Sequence, residues 1–261
     1  MMRPEILDYY QQGGERQRLT AGTGRLEYLR TRDVLARTLP AAPATVLDVG
    51  GATGVYAQPL AEAGYQVTVV DPVPQHVAVA RTLDGVDALV GDARDLPAPD
   101  ASADVVLLLG PLYHLQERPD RVAAWREAAR VLRPGGLVVA ATISRFASLF
   151  DGFVKGFFDN PAFRPIVEQD LADGRHHNPD DVPRWFTSAY FHRPDETAGE
   201  VADAGLTLRR VVSVESPLWM SPTALENFLD EPTLLLEMLR HVEDEPSLLG
   251  ASSHLLTVAV R

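Results

Sequence analysis

Between residues 45 and 143 the apolar positions arrive in short bursts separated by amphipathic stretches. Val46-Leu47-Asp48-Val49, Val67-Thr68-Val69-Val70, Val105-Val106-Leu107-Leu108-Leu109 and Leu137-Val138-Val139-Ala140 are near-continuous apolar runs rich in β-branched residues. That is the composition of strands covered on both faces. The stretches between them have helical periodicity; Val122, Trp125, Ala129 and Leu132, for example, fall at i, i+3, i+7 and i+10. The alternation predicts a parallel sheet with helices on both faces, its strands near 45–49, 66–70, 87–90, 104–109 and 137–142. Pro59 is expected to kink or shorten the first of these helices, and Arg133-Pro134-Gly135-Gly136 to stop the fourth.

On either side the pattern changes. Residues 1–40 carry no strand signal and read as an N-terminal helical cap on a main domain spanning 41–261. The helical segments run from Ile6 to Tyr10 and from Arg25 to Leu39, with Tyr28, Leu35 and Leu39 on one face. From 144 to 193 the alternation breaks into a phenylalanine-rich insertion, read as two helices and a loop at Gly174-Arg175-His176-His177-Asn178-Pro179. A helix (194–204), a strand (206–214), a helical stretch (222–242) and a last strand (255–260) follow.

The chemistry begins where the first strand ends. Gly50-Gly51-Ala52-Thr53-Gly54 is a glycine turn whose backbone can approach a ligand without Cβ atoms in the way, and a helix is expected to start near Thr53 with its free N–H groups toward that ligand. Its outer glycines lie four apart, which is not the dinucleotide spacing, and Asp48 stands just before it. Two further strands end in carboxylates, at Asp71 and Asp92. This Asp-x-Gly-x-x-x-Gly arrangement with two acidic strand ends resembles the class I S-adenosylmethionine (SAM) methyltransferases, of the kind that act on small molecules. Arg130-Val131-Leu132-Arg133-Pro134-Gly135-Gly136 adds to the likeness.

The resemblance implies an α/β, Rossmann-like sheet of seven strands in the order 3-2-1-4-5-7-6, with strand seven antiparallel and the 144–193 insertion as a helical lid. It implies SAM as cofactor, held by Asp48, Gly50, Gly51, Ala52, Gly54, Asp71 with Pro72, Asp92 with Ala93 and Arg94, and Leu109 with Gly110. Asp71 would take the ribose hydroxyls and Asp92 the adenine amino group. The family's middle glycine is Ala52 here, and alanine avoids the left-handed region, so the turn's positive φ angles are expected at Gly50, Gly51 or Gly54.

Methyl transfer from a sulfonium mainly needs alignment, although an oxygen nucleophile gains from a nearby base. Tyr113 and His114 follow the fourth strand and are the catalytic candidates, His114 as base or as a loop-holding residue. Tyr9, Tyr10, Arg18, Glu27 and Arg30 from the cap, and Tyr190 and His192 beyond the insertion's loop, are candidates for lining the acceptor pocket. The adjacent His176 and His177 would splay apart on a helix, and no metal site is expected.

Composition narrows the partners. The chain has 24 basic and 36 acidic residues, net charge −12, which disfavours nonspecific nucleic-acid binding. The Asn/Asp-Pro-Pro-Tyr motif of base-amino methyltransferases is also missing. There is no cysteine, which removes disulfides and thiolate chemistry. With no apolar run of ~18 residues and no signal-peptide pattern, a cytoplasmic protein away from membranes is expected, as monomer or homodimer. The leading expectation is methyl transfer to an oxygen or nitrogen of a small molecule. Non-methylating SAM chemistry (cyclase or lyase) and a SAM-binding module without turnover stay open.

Overall fold

The computed structural model describes Ile6 and residues 18–261; Tyr9 and Tyr10 lie outside the described residues. Helix α1 (Gly22–Thr38) precedes the alternating core of β1 (Thr45–Val49), α2 (Ala57–Glu62), β2 (Gln66–Asp71), α3 (Pro74–Ala80), β3 (Val86–Val90), β4 (Ala103–Leu108), α4 (Arg118–Val131) and β5 (Leu132–Ser144). The β1 residues Val46 and Leu47 are both buried but face opposite layers, as the strand's period of two requires. Leu47 and Val49 pack with Val106, Val138 and Trp125 beneath α4. Val46 packs with Val67, Val105 and the α1 residues Val34 and Leu35 on the other side.

The insertion forms α5 (Ala147–Val154), α6 (Phe163–Asp173) and a small hairpin of β6 (Arg175–His176) and β7 (Ala189–His192). Then come α7 (Glu196–Asp203), β8 (Thr207–Ser213), α8 (Pro222–Leu229), α9 (Thr233–Arg240), the short α10 (Pro246–Leu249) and β9 (His254–Val260). The main sheet runs β3-β2-β1-β4-β5-β9-β8, with β9 antiparallel to both neighbours. This is the expected seven-stranded order with its last strand reversed.

The hairpin is the addition. The loop expected at 174–179 is in part a strand, β6, and β7 pairs with β5 in parallel at Ile143↔Phe191 and Ser144↔His192. The β4 ladder on β5 ends at Ala140, so β7 takes over where β4 stops. Strands of two and four residues are too short to leave a periodic signal.

Helix α2 begins at Ala57, not near Thr53, and spans six residues. Pro59 therefore sits in its first turn, where its missing N–H costs no helical hydrogen bond. Helix α1 closes over the sheet on one side, while its Leu26 packs with Leu225, Leu229, Leu235 and Leu239 of α8 and α9 on the other. No helix among the described residues is long and apolar enough to cross a membrane.

Candidate active site

The carboxyl ends of β1, β2, β3 and β4 open into one cavity at the switch point of the sheet. Its floor is the glycine turn. Gly50 (φ 70°) donates to the Val70 carbonyl at 2.7 Å, and Gly54 (φ 84°) donates to the Gly51 carbonyl at 2.9 Å. Ala52 also has a positive φ, 47°, contrary to the expectation that glycines alone would carry the left-handed positions. Its backbone N–H donates to Asp71 Oδ2 at 3.0 Å, and that bond holds the residue in a conformation alanine disfavours. Gly51 is required for a different reason: a Cβ there would lie 2.5 Å from Asp48 Oδ2.

The three carboxylates differ in state. Asp48 is fully buried, lines the cavity, and neither oxygen has a hydrogen-bond partner among the described residues. Burial, and secondarily the nearby Asp71, pushes its pKa up to about 7. Asp71 accepts from Ala52 N, from Val73 N at 2.9 Å and from His76 Nδ1 at 3.1 Å, which fixes its rotamer at the strand end. Asp92 is gripped by Arg94 through two bonds of 2.9 and 2.7 Å, which lower its pKa below the usual carboxylate range. Pro72, Ala93, Leu109 and Gly110 complete the walls. At Gly110 an added Cβ would come within 2.9 Å of the Gly50 carbonyl, so the two loops touch through backbone.

Tyr113 and His114 lie in a single 3-10 turn, Leu112–His114. The His114 ring stacks on Phe186 (5.8 Å between centroids) and meets Tyr113 edge-on (4.7 Å). Burial lowers its pKa to about 4, so the imidazole is neutral in neutral water.

A second cavity adjoins the first. Arg18, Glu27, Tyr113 and His254 line both. Its other walls come largely from the insertion, with Phe157, Phe163, Trp185, Phe186 and Phe191, and from Trp219. At the seam Glu27 is paired with Arg18 through both carboxylate oxygens, and His254 Nδ1 lies 2.7 Å from Glu215 Oε1 and 3.8 Å from Glu27 Oε2. Burial opposes charge on both Glu27 and His254, but mutual attraction wins: Glu27 falls to about 2 and His254 rises to about 9. These groups also bring three possible metal-ligand atoms within 4.8 Å of one another. Arg18, and His254 below about pH 9, supply positive charge beside these carboxylates.

Of the acceptor-side candidates, Arg18 and Glu27 line the seam, whereas Arg30, Tyr190 and His192 line neither cavity. Arg30 is fully buried and donates to the Val214 carbonyl, Asp33 and Glu243, tying α1 to the end of β8. Tyr190 lies under Arg121, with the guanidinium 3.7 Å from its ring centre, and donates to Glu196. His192 is sealed beside Glu200 (Nε2–Oε2 3.6 Å), and burial lowers its pKa. Tyr190 and His192 stand away from both cavities because β7 pairs with β5 and faces them toward Arg121 and the α7 residues Glu196 and Glu200. His176, one of the paired histidines, does reach the second cavity wall, but its nitrogens face Asp170 Oδ2 (2.8 Å) and the Trp185 carbonyl (2.7 Å).

Glu215 and His254 carried no signal in their local sequence. The signal lay in topology: a reversed last strand starts at the carboxyl ends of the parallel strands, so a polar residue at its first position faces the ligand.

Comparison with known proteins agrees with this geometry. The family model described as a methyltransferase domain matches residues 47–140. A ubiquinone biosynthesis O-methyltransferase of Xanthomonas euvesicatoria is 32% identical over 209 residues, covering 78% of this chain and 77% of that protein. An uncharacterized methyltransferase of Mycobacterium tuberculosis is 42% identical over 99 residues, 38% of this chain and 39% of that one. A SAM-dependent methyltransferase from Mesorhizobium loti shares the fold with TM-score 0.61 at 18% identity, covering 90% of this chain and 100% of that one.

Proposed function

Because the chain belongs to the class I SAM-dependent methyltransferases, we propose that it moves the methyl group of SAM to a hydroxyl oxygen of a small molecule with an aromatic ring. One observation supports this above others: the cofactor cavity and an aromatic-walled cavity share a seam at Arg18, Glu27, Tyr113 and His254. Donor and acceptor held on either side of such a seam need little more than alignment. The O-methyltransferase relative supports oxygen as the atom methylated.

The residues of the first cavity fit SAM. The partnerless buried carboxylate of Asp48 calls for a ligand that brings hydrogen-bond donors or positive charge, and SAM has both. We assign Asp71, which Ala52, Val73 and His76 hold in place, to the ribose hydroxyls. Asp92 with Arg94 takes the adenine edge, while Gly50, Gly51, Ala52, Leu109 and Gly110 supply close backbone walls; Gly54 stands off the cavity against Leu83 and closes the turn. When bound, SAM supplies an electrophilic methyl group on a sulfonium. Tyr113 and His114 shape the wall beside the seam. A ring held at about 4 is far from the pKa that suits proton abstraction near neutral pH.

The test is calorimetric titration with S-adenosylhomocysteine (SAH), followed by incubation with methyl-labelled SAM and a panel of phenols and aromatic amines read by mass spectrometry. The expected result is SAH binding that Asp71→Ala weakens by about 1.5–3 kcal/mol, and label appearing on phenolic oxygen. SAM consumed without any methylated product would overturn the transfer reading, and label confined to amines would overturn the choice of oxygen.

A further inference from the structure

The described histidines at the two cavities and behind them differ in what their ring nitrogens can do. His192 is sealed away from both cavities, and both nitrogens of His176 face protein acceptors. His76, whose Nδ1 faces Asp71, and His114 reach the first cavity only. His254 reaches both, from the first residue of β9, opposite Ile143 of β5.

Its surroundings hold it in one pose. Glu215 is 2% exposed, and its Oε2 accepts from His254 N at 2.9 Å and from Ser252 Oγ at 2.8 Å, while Oε1 faces His254 Nδ1 at 2.7 Å. A carboxylate so fixed keeps a proton on Nδ1, leaving Nε2 as the nitrogen that can exchange one. Among the described residues no hydrogen bond engages Nε2, and the two carboxylates paired with the ring, Glu27 and Glu215, both lie on its Nδ1 side.

We propose, resting on the methyltransferase reading above, that His254 oriented by Glu215 takes the proton from the acceptor hydroxyl, which makes the second cavity a phenol site. The acceptor's O–H bond breaks and its proton passes to Nε2. The oxygen lone pair forms the new O–CH3 bond as the C–S bond breaks, its electron pair staying on sulfur. The proton then leaves Nε2 for water after product departs. Aromatic walls at Phe157, Phe163, Trp185, Phe186 and Trp219 suit a flat ring.

The charged groups around the ring are Glu215 after β8, Glu27 of α1, Arg18 before it, and the Asp151–Lys155 pair of α5. The carboxylates outweigh burial and bring His254 close to the range of phenols. Imidazolium with phenolate and imidazole with phenol hold the same number of protons, so the competent pair gains population as pH rises to about 9.

The probe is 4-nitrocatechol, whose absorbance reports ionisation of its hydroxyl, titrated into SAH-saturated protein across pH. In the wild type the bound phenol should ionise at a pH lower than in water by about one unit or more. His254→Gln should abolish that shift, Glu215→Gln should reduce it, and His114→Gln should leave it in place. A shift that survives His254→Gln, one that disappears in His114→Gln instead, or failure of the probe to enter overturns the proposal. SAH affinity, measured alongside, separates the outcomes: SAH binding without the shift sinks this assignment alone, and no SAH binding sinks the reading beneath it. Should His254→Gln lose SAH binding through misfolding, Glu215→Gln decides, since an unchanged shift there removes the proposed dyad.

Discussion

Most of the first cavity's lining falls between residues 48 and 120, where the glycine turn, the ends of β2 and β3, and the loop after β4 bring close-approaching backbone and three carboxylates together; Arg18, Glu27 and His254 join it at the seam. The second is walled by side chains gathered from residues 18–27, Tyr113, and residues 143–163, 176–191 and 215–254. Backbone is the same in every sequence, so a cavity built from it keeps one ligand while side chains diverge. A cavity of aromatic rings changes with each substitution. That contrast is in keeping with the proposed roles, a shared cofactor on the first side and an individual acceptor on the second.

The two sides are also held differently, and that gives the largest expected effect. The first relies on sheet ladders, whereas β7, whose Phe191 lines the second, is held by buried arginines: Arg145 donates to the Phe191 carbonyl, and Arg121, packed on Tyr190, ties β7 to the loop after β4. Arg121 binds Glu200 at 2.7 Å and donates to the carbonyls of Leu115 and Gln116, which lie on the wall of the first cavity. Arg121→Ala would leave Glu200 buried without its guanidinium, a loss of about 3–5 kcal/mol. Urea unfolding should show it as a lower midpoint. A change under about 1 kcal/mol would mean that His192 alone compensates Glu200, and the contrast in how the sides are held would fail.

The next effect belongs to the first cavity. Asp48 has its pKa raised to about 7, above the ordinary carboxylate value, so the folded state binds its proton more tightly than the unfolded chain does. The stability this gives is complete below about pH 4 and is lost as pH rises through about 7. Asp48→Asn cannot ionise. It should flatten that part of the pH profile and gain about 2–4 kcal/mol over the wild type at pH 8, from about 1.36 kcal/mol per unit. Thermal melts of both proteins from pH 4 to 8 would show the curves diverging upward in pH; parallel curves would show that Asp48 finds donors in solution.

How legible each cavity was in the sequence follows from the same contrast. The glycine turn and the carboxylates of Asp48, Asp71 and Asp92 sit at the ends of apolar bursts, and a parallel sheet brings all such ends to one edge. Local pattern was therefore sufficient. The second cavity depends on which distant segments meet, and local pattern is silent there. Arg18, Glu27 and Arg30 belong to one short segment, yet two reach the seam and the third is buried against β8. Tyr190 and His192 follow a loop that suggested a pocket wall, but the hairpin that seats them consists of strands too short to read. The partnership of Glu215 and His254 needed the reversed direction of β9 before it had meaning.

The smallest effect tests whether the first cavity is as indifferent to side chains as its backbone walls imply. Ala52 holds φ at 47° where a glycine would rest freely, at a cost of about 1–2 kcal/mol for an L-residue. Ala52→Gly removes that cost but adds about 0.5–1 kcal/mol of chain entropy lost on folding. The difference is a stabilisation of up to about 1 kcal/mol, or about 2–4 °C in Tm for a chain of this size. The backbone N–H that donates to Asp71 is retained, so SAH affinity should stay within about threefold, under 1 kcal/mol. A lower Tm would show that the Ala52 methyl group packs against something the cavity needs, and the wall there would count as side chain after all.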